Sequence, residues 1–158
     1  MKYRIEIKWG LYFVLMTLVW MLGERLAGLH DKNIAYHPIF TNFIALPAIA
    51  LYFFALRDKR IHFYGGKMTY LQGFVSGMII TLVVALLSPI TQYITSVWIT
   101  PHYFENMIAY VVDQKKMTLE AAQENFNLTF YMIQATVGAV FMGTVTAAVV
   151  ALFSKGKA

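Results

Sequence analysis

The chain has no cysteine. That excludes disulfides, iron–sulfur clusters and thiol nucleophiles, and it carries no information on redox compartment. Charge is scarce too: Asp, Glu, Lys and Arg make up 13% of 158 residues, about half the ~25% of an ordinary soluble domain. There is no glycine-rich phosphate loop, no Gly-x-Ser-x-Gly and no His-Glu-x-x-His, and the few hydroxyl groups have no base at a telling spacing. The chain therefore reads as non-enzymatic. No basic run carries the interleaved aromatics of a nucleic-acid module, so nucleic acid is not an expected partner.

What is present is apolar. Hydrophobic residues make up 59% of the chain, against ~45–50% in soluble domains. One domain of this length has no core large enough to hide that excess, and lipid is the simplest solvent for it. Residues 9–23, 33–56, 68–104 and 125–154 contain no Lys, Arg, Asp or Glu. A membrane span needs about 20 apolar residues, so each of the last three stretches holds one. The first is short, but Lys8 can snorkel, or the span can run on past Glu24 and Arg25. The expected fold is all-α: a single transmembrane domain over 1–158, with spans at about 9–29, 39–56, 70–98 and 128–153. The start, Met1 to Arg4 and then apolar, is like a signal peptide. Glu24 and Arg25 stand where a small-residue cleavage site would lie, so an uncleaved first span is expected instead.

Orientation follows from the basic residues. Lys2, Arg4, Lys8, Arg57, Lys59, Arg60, Lys67, Lys155 and Lys157 fall on one side, against Lys32, Lys115 and Lys116 on the other. Basic loops stay inside. Both termini and a short 57–69 loop are therefore expected in the cytoplasm, with the protein multi-pass in the cytoplasmic (inner) membrane. Trp9 and Tyr70 at inner helix ends and Trp98 at an outer one fit the interfacial aromatic belt.

Two prolines interrupt spans, Pro47 in the second and Pro89 in the third. Each removes a backbone hydrogen bond and predicts a kink, with Ser88 placed to help satisfy the freed carbonyl. Small residues recur every fourth position in the third span (Gly73, Gly77, Thr81, Ala85) and in the fourth (Ala139, Gly143, Ala147, Ala151). Such stripes let helix backbones approach closely in lipid. They either face each other or form a homodimer seam.

The segment of about 101–115 is too charged to span. Phe104, Met107, Ile108, Val111 and Val112 make one apolar helical face, so an amphipathic helix is expected, lying along the outer membrane surface or over the bundle. Thr100 is its expected N-cap and Pro101 its first residue. Thr118 is expected to cap a further helix running on into the fourth span. The Asn127-Leu128-Thr129 sequon lies at a span edge and reads as chance.

Glu24 and Arg25 are the sharpest polar feature, because an ionisable residue inside a span is a functional-site hypothesis. At similar depth the topology brings Gln92, Tyr93 and Gln134, with His30, Asp31 and His37 just outside. These form a candidate polar or ligand cluster, alternatively a hydrogen-bonded plug that fixes helix register. Glu24, His30, Asp31, His37 and His102 are residue types that suit zinc. No pair has a compact ligand spacing, so neither metal nor cofactor is expected.

The order of short motifs resembles a known family. These are Glu24 with Gly28-Leu29-His30-Asp31, Met68-Thr69-Tyr70 leading to Gly73 and Gly77, and Ser88-Pro89. Pro101 with Phe104, Thr118-Leu119-Glu120-Ala121, and Gly138 with Gly143 complete the series. The chain is similar throughout its length to a small inner-membrane family, common in Bacteroidota, classed as a domain of unknown function. The resemblance implies a four-helix membrane protein and brings no catalytic residues. The first expectation for function is a non-enzymatic membrane component or assembly scaffold, in contact with lipids and with a second copy or another membrane protein. The alternative is a small transporter or channel subunit with its polar site around Glu24.

Overall fold

The computed structural model describes residues 2–156 and is helical throughout, with no strand among the described residues. Helix α1 spans Arg4–Leu26, α2 His37–Phe40, α3 Ala45–His62, α4 Tyr70–Ile94, α5 Tyr103–Asp113, α6 Leu119–Asn125 and α7 Leu128–Ser154. Two 3₁₀ turns, Ile34–Tyr36 and Thr41–Ile44, join α2 and α3 into one continuous helical rod. A π-turn, Thr95–Ile99, extends α4. Four helices are thus long and apolar enough to cross a membrane: Arg4–Leu26, Ile34–His62, Tyr70–Ile99 and Leu128–Ser154. The shortest has 23 residues and reaches roughly 34 Å at 1.5 Å per residue, enough for a hydrocarbon layer of about 30 Å. Their outward faces are apolar, with Leu15, Val19, Leu86, Phe141 and Phe153 all more than half exposed. This is a membrane protein.

Helix α4 is the spine of the bundle, packing on α7, α1 and α3. Its small-residue stripe faces that of α7. A Cβ added at Gly77 would lie 2.6 Å from the Ala147 side chain, and one at Gly143 would lie 2.6 Å from Thr81. At Gly73 it would meet Ala151 at 3.4 Å. The stripes are therefore used inside one chain, where close van der Waals contact replaces the hydrophobic force that lipid does not provide. The core around this seam contains Tyr52, Ala55, Leu56, Met68, Ile80, Val84, Ala147, Val150 and Ala151. Tyr52 ties α3 to it through a 2.8 Å hydrogen bond with Thr81.

Both ends of the chain meet at one end of the bundle, the terminal end. Lys59 Nζ donates to the Lys2 carbonyl at 2.8 Å, Arg60 to the Ser154 carbonyl at 3.1 Å, and the Gly156 amide to the Met68 carbonyl at 2.9 Å. The opposite, distal end is covered by α5 and α6. There Ile34, Tyr103, Met107, Val111 and Ala122 form a second small core.

Several expectations change. Helix α1 starts and stops earlier than 9–29. The loop expected at 57–69 shrinks to 63–69, because α3 continues to His62. Pro47 lies near the middle of the Ile34–His62 rod, three residues after the 3₁₀ turn Thr41–Ile44, so the irregularity of the second span is a local change of helix type just before the proline. Pro89 is inside α4, but the Ser88 hydroxyl donates to Val84 O at 2.9 Å, not to the Ala85 carbonyl that Pro89 frees. Thr100 does not cap α5. Its hydroxyl bonds back to Thr95 O at 3.1 Å, Pro101 lies in the turn, and His102 is the N-cap residue. Thr118 does cap α6, accepting from the Ala121 amide at 3.3 Å. That helix stops at Asn125, and Asn127 starts α7 separately by accepting from the Phe130 amide at 2.9 Å.

Candidate functional site

The site begins with the way α1 ends. Gly28 has a left-handed φ of +72°, a conformation that costs other residues about 1–2 kcal/mol. Around it the Leu29 amide bonds to Glu24 O at 3.0 Å and the Gly28 amide to Arg25 O at 2.9 Å. This is the two-bond Schellman closure of a helix C-terminus. The chain reverses there, and His30 comes back under the last turn of the helix it has just left. The 3₁₀ turn Ile34–Tyr36 then delivers His37 to the same place.

Three side chains converge as a result. Glu24 is 3% exposed, far inside for a carboxylate with no Lys or Arg paired to it among the described residues. Its Oε1 accepts from Trp20 Nε1 at 2.6 Å. Its Oε2 lies 3.1 Å from His30 Nε2 and 3.4 Å from His37 Nε2. The ligand atoms of Glu24, His30 and His37 all fall within 4.8 Å of one another. Burying a carboxylate is expensive unless donors satisfy it, and here three N–H groups converge on it.

Helix α5 closes the arrangement from above. The Tyr103 ring packs on both imidazoles, with centroids 5.2 Å from His30 and 5.1 Å from His37. Its hydroxyl is 3.4 Å from His37 Nδ1 and 3.3 Å from the Tyr131 hydroxyl. Burial pushes the Tyr103 phenol well above its usual range, with the neighbouring Tyr131 and Glu24 acting in the same direction. It is therefore a neutral hydroxyl at any ordinary pH. Asn106, one turn along, donates to the His30 carbonyl at 2.9 Å and pins the reversed segment to α5.

Two cavities border the site. The more polar, of about 280 Å³, is lined by Arg25, His30, Asp31, Thr100, His102 and Asn106 among others. The other, about 400 Å³ and almost wholly apolar, runs between α1 and the α2–α3 rod from Pro47 to Trp20 and Glu24. The Glu24–His30 pair stands between them.

The structure sorts the sequence candidates. Glu24, His30 and His37 come together. Arg25 and Asp31 are exposed at the mouth of the polar cavity. Gln92 bonds to Ser96 at 3.0 Å and faces a different cavity, while Tyr93 and Gln134 are exposed on outer faces. His102 pairs with Glu105 at 3.2 Å on the surface. Trp20 and Tyr103 belong to the site and were not expected there; the Trp20–Glu24 spacing of four residues was the available signal.

A second buried polar centre lies at the terminal end and also went unforeseen. Glu6 and Lys59 form an ion pair of 2.8 Å with both side chains almost fully buried. Ser76 donates to Glu6 at 3.0 Å, and the Phe63 ring centroid is 3.7 Å from Lys59 Nζ. This centre joins α1, α3 and α4. No cavity described above touches it, and it reads as structural.

Residues 8–156 match the family described as "Protein of unknown function (DUF4199)". The chain belongs to that family. The match takes in three of the four long helices whole, α1 from Lys8 onward, and every residue of the distal site. No curated protein and no solved structure matches the chain.

Proposed function

We propose that this protein is a non-enzymatic membrane component that binds a small cationic ligand at the distal end of its bundle, beneath α5. The carrying observation is the buried Glu24 carboxylate, lined by two imidazoles and free of any Lys or Arg partner among the described residues. A carboxylate in a membrane span is costly, and one held beside two imidazoles, of which His30 borders the distal cavity, is suited to a cation. The distribution of Lys and Arg favours a cytoplasmic terminal end, which leaves the site on the outer face. An assembly role has less support than the sequence offered, because both small-residue stripes are taken up in the α4–α7 contact.

The test is thermal unfolding of the purified full chain in detergent across a panel of sodium, magnesium, zinc and choline chlorides. A binding site appears as a shift in Tm that Glu24→Gln abolishes. A structural plug gives no shift with any salt, and Glu24→Gln merely lowers Tm.

Transport is a second reading, favoured by two cavities of about 220 and 410 Å³ within the bundle. They share Phe13, Ile44, Ala48, Val84 and Ala139, and their polar lining consists of uncharged groups such as Thr17, Tyr52, Ser88 and Thr91. Flux of the panel cation into proteoliposomes, lost in Glu24→Gln, separates transport from binding alone.

A further inference from the structure

We propose that Glu24, His30 and His37 form a binding site for one divalent transition-metal ion of the zinc class, held by one carboxylate oxygen and two imidazole nitrogens. This rests on the cation-binding reading above and names the ion's chemistry.

The first argument is spacing. Zinc bonds to imidazole nitrogen and carboxylate oxygen are about 2.0–2.1 Å long, which makes the edge of a tetrahedron around the ion about 3.3–3.4 Å. The distances from Glu24 Oε2 to the two Nε2 atoms are 3.1 and 3.4 Å. The ligand atoms of all three residues lie within 4.8 Å of one another, so closing the remaining imidazole–imidazole edge onto one ion takes side-chain adjustment alone.

The second is donor chemistry. Two imidazoles and one carboxylate are the protein ligands of open zinc sites and of non-haem Fe(II) sites. Mg²⁺ and Ca²⁺ take oxygen ligands, and two of the three donors here are nitrogen. There is no thiolate to draw in Cu(I).

The third is uncompensated charge. Glu24 is 3% exposed and His30 5% exposed, and no Lys or Arg pairs with the carboxylate among the described residues. A divalent ion supplies the positive charge that this buried carboxylate lacks.

The fourth is the outer layer. Metal-site ligands are normally oriented by further hydrogen bonds. Trp20 Nε1 holds the other oxygen of Glu24 at 2.6 Å, and the Tyr103 hydroxyl sits 3.4 Å from His37 Nδ1. Three protein ligands leave a coordination position for water or an incoming group. The polar cavity beside His30 provides access from the distal side.

The experiment uses the full chain in detergent, stripped with a chelator and titrated with Zn²⁺ by calorimetry. One ion per chain is expected. His30→Ala, His37→Ala and Glu24→Gln should each weaken binding by more than about 100-fold, and Trp20→Phe, which changes only an orienting contact, by about 10–100-fold. His62→Ala, on the surface near the terminal end, should bind as the parent does. The wild-type chain loaded with Co²⁺ should show the intense visible d–d bands of a four-coordinate site, a reading that needs no variant to fold. No saturable Zn²⁺ binding, or binding lost in His62→Ala, overturns the proposal. So does a Co²⁺ spectrum identical to the free ion. A Tm shift with sodium or choline that Glu24→Gln removes, together with no Zn²⁺ binding, overturns the metal while the cation site stands. Absence of any shift overturns both.

Discussion

Glu24 Oε2 and His30 Nε2 lie 3.1 Å apart although six residues separate them, because the chain reverses at Gly28. The pair thus depends on a backbone conformation more than on either side chain. A parallel closure follows α5, where Lys115 occupies the left-handed position with φ 53° and the Lys116 amide bonds to Val111 O at 2.9 Å. The two turns make opposite predictions. Gly28→Ala should lower stability by about 1–2 kcal/mol and disturb His30, whereas Lys115→Gly should raise stability by up to about 1 kcal/mol. Unfolding of both variants in the same detergent checks the pair. A Gly28→Ala chain as stable as wild type would contradict the strained-turn account.

The α4–α7 seam predicts a contrast between glycines of one helix. Gly143→Leu drives a side chain into Thr81 and should cost about 1–3 kcal/mol or more by overpacking. Gly138→Leu points to open space, with nothing within 4 Å of its added Cβ, and should leave Tm nearly unchanged. Equal loss in both would show that the seam is not where α7 packs.

The buried ion pair at the terminal end gives a third test. Glu6→Ala leaves Lys59 charged and without its counter-ion in the interior, and removing one member of such a pair costs about 3–5 kcal/mol. Replacing both residues with Met should cost much less than the sum of the single changes. A double-mutant cycle measured by thermal unfolding reads that coupling, and additive losses would argue that the two groups do not meet.

Tyr103 separates ring from hydroxyl. Its hydrogen bonds of 3.4 and 3.3 Å are long, so Tyr103→Phe should cost at most about 1 kcal/mol. Tyr103→Ala removes a ring packed on both histidines and should cost about 3–5 kcal/mol. The phenol also sets a pH dependence. Its folded-state pKa is raised by burial, so its contribution is complete below the unfolded value of about 10 and declines as pH rises beyond it. Wild type should lose stability above about pH 10, and Tyr103→Phe should lose it less steeply. Parallel curves would refute that assignment.

The four long helices were legible because charge marks their limits, and the α5 face because its apolar residues repeat at helical spacing. Placement on the long helices was legible as well: Glu24, Gln92 and Gln134 lie on α1, α4 and α7. Azimuth was not. The spans are apolar nearly all round, so nothing in the pattern indicates that Gln134 faces out while Glu24 faces in. His30 and His37 were legible as candidates beside Glu24, but their convergence on its carboxylate was not: it is made by a reversal and a 3₁₀ turn, not by the regular spacing that a motif search detects. Lys59 was hidden by its company, since between Arg57 and Arg60 it reads as one more loop cation. Only the continuation of α3 to His62 turns it toward Glu6.

The Glu6–Lys59 contact has a consequence for biosynthesis. Glu6 lies on α1, while Lys59 and Ser76, which contact its Oε1, belong to the later helices α3 and α4. An isolated first helix therefore carries a carboxylate without its acquired partners into lipid. The first helix should stay beside the insertion machinery until the second and third have followed, so that the bundle enters the bilayer as a group instead of one helix at a time.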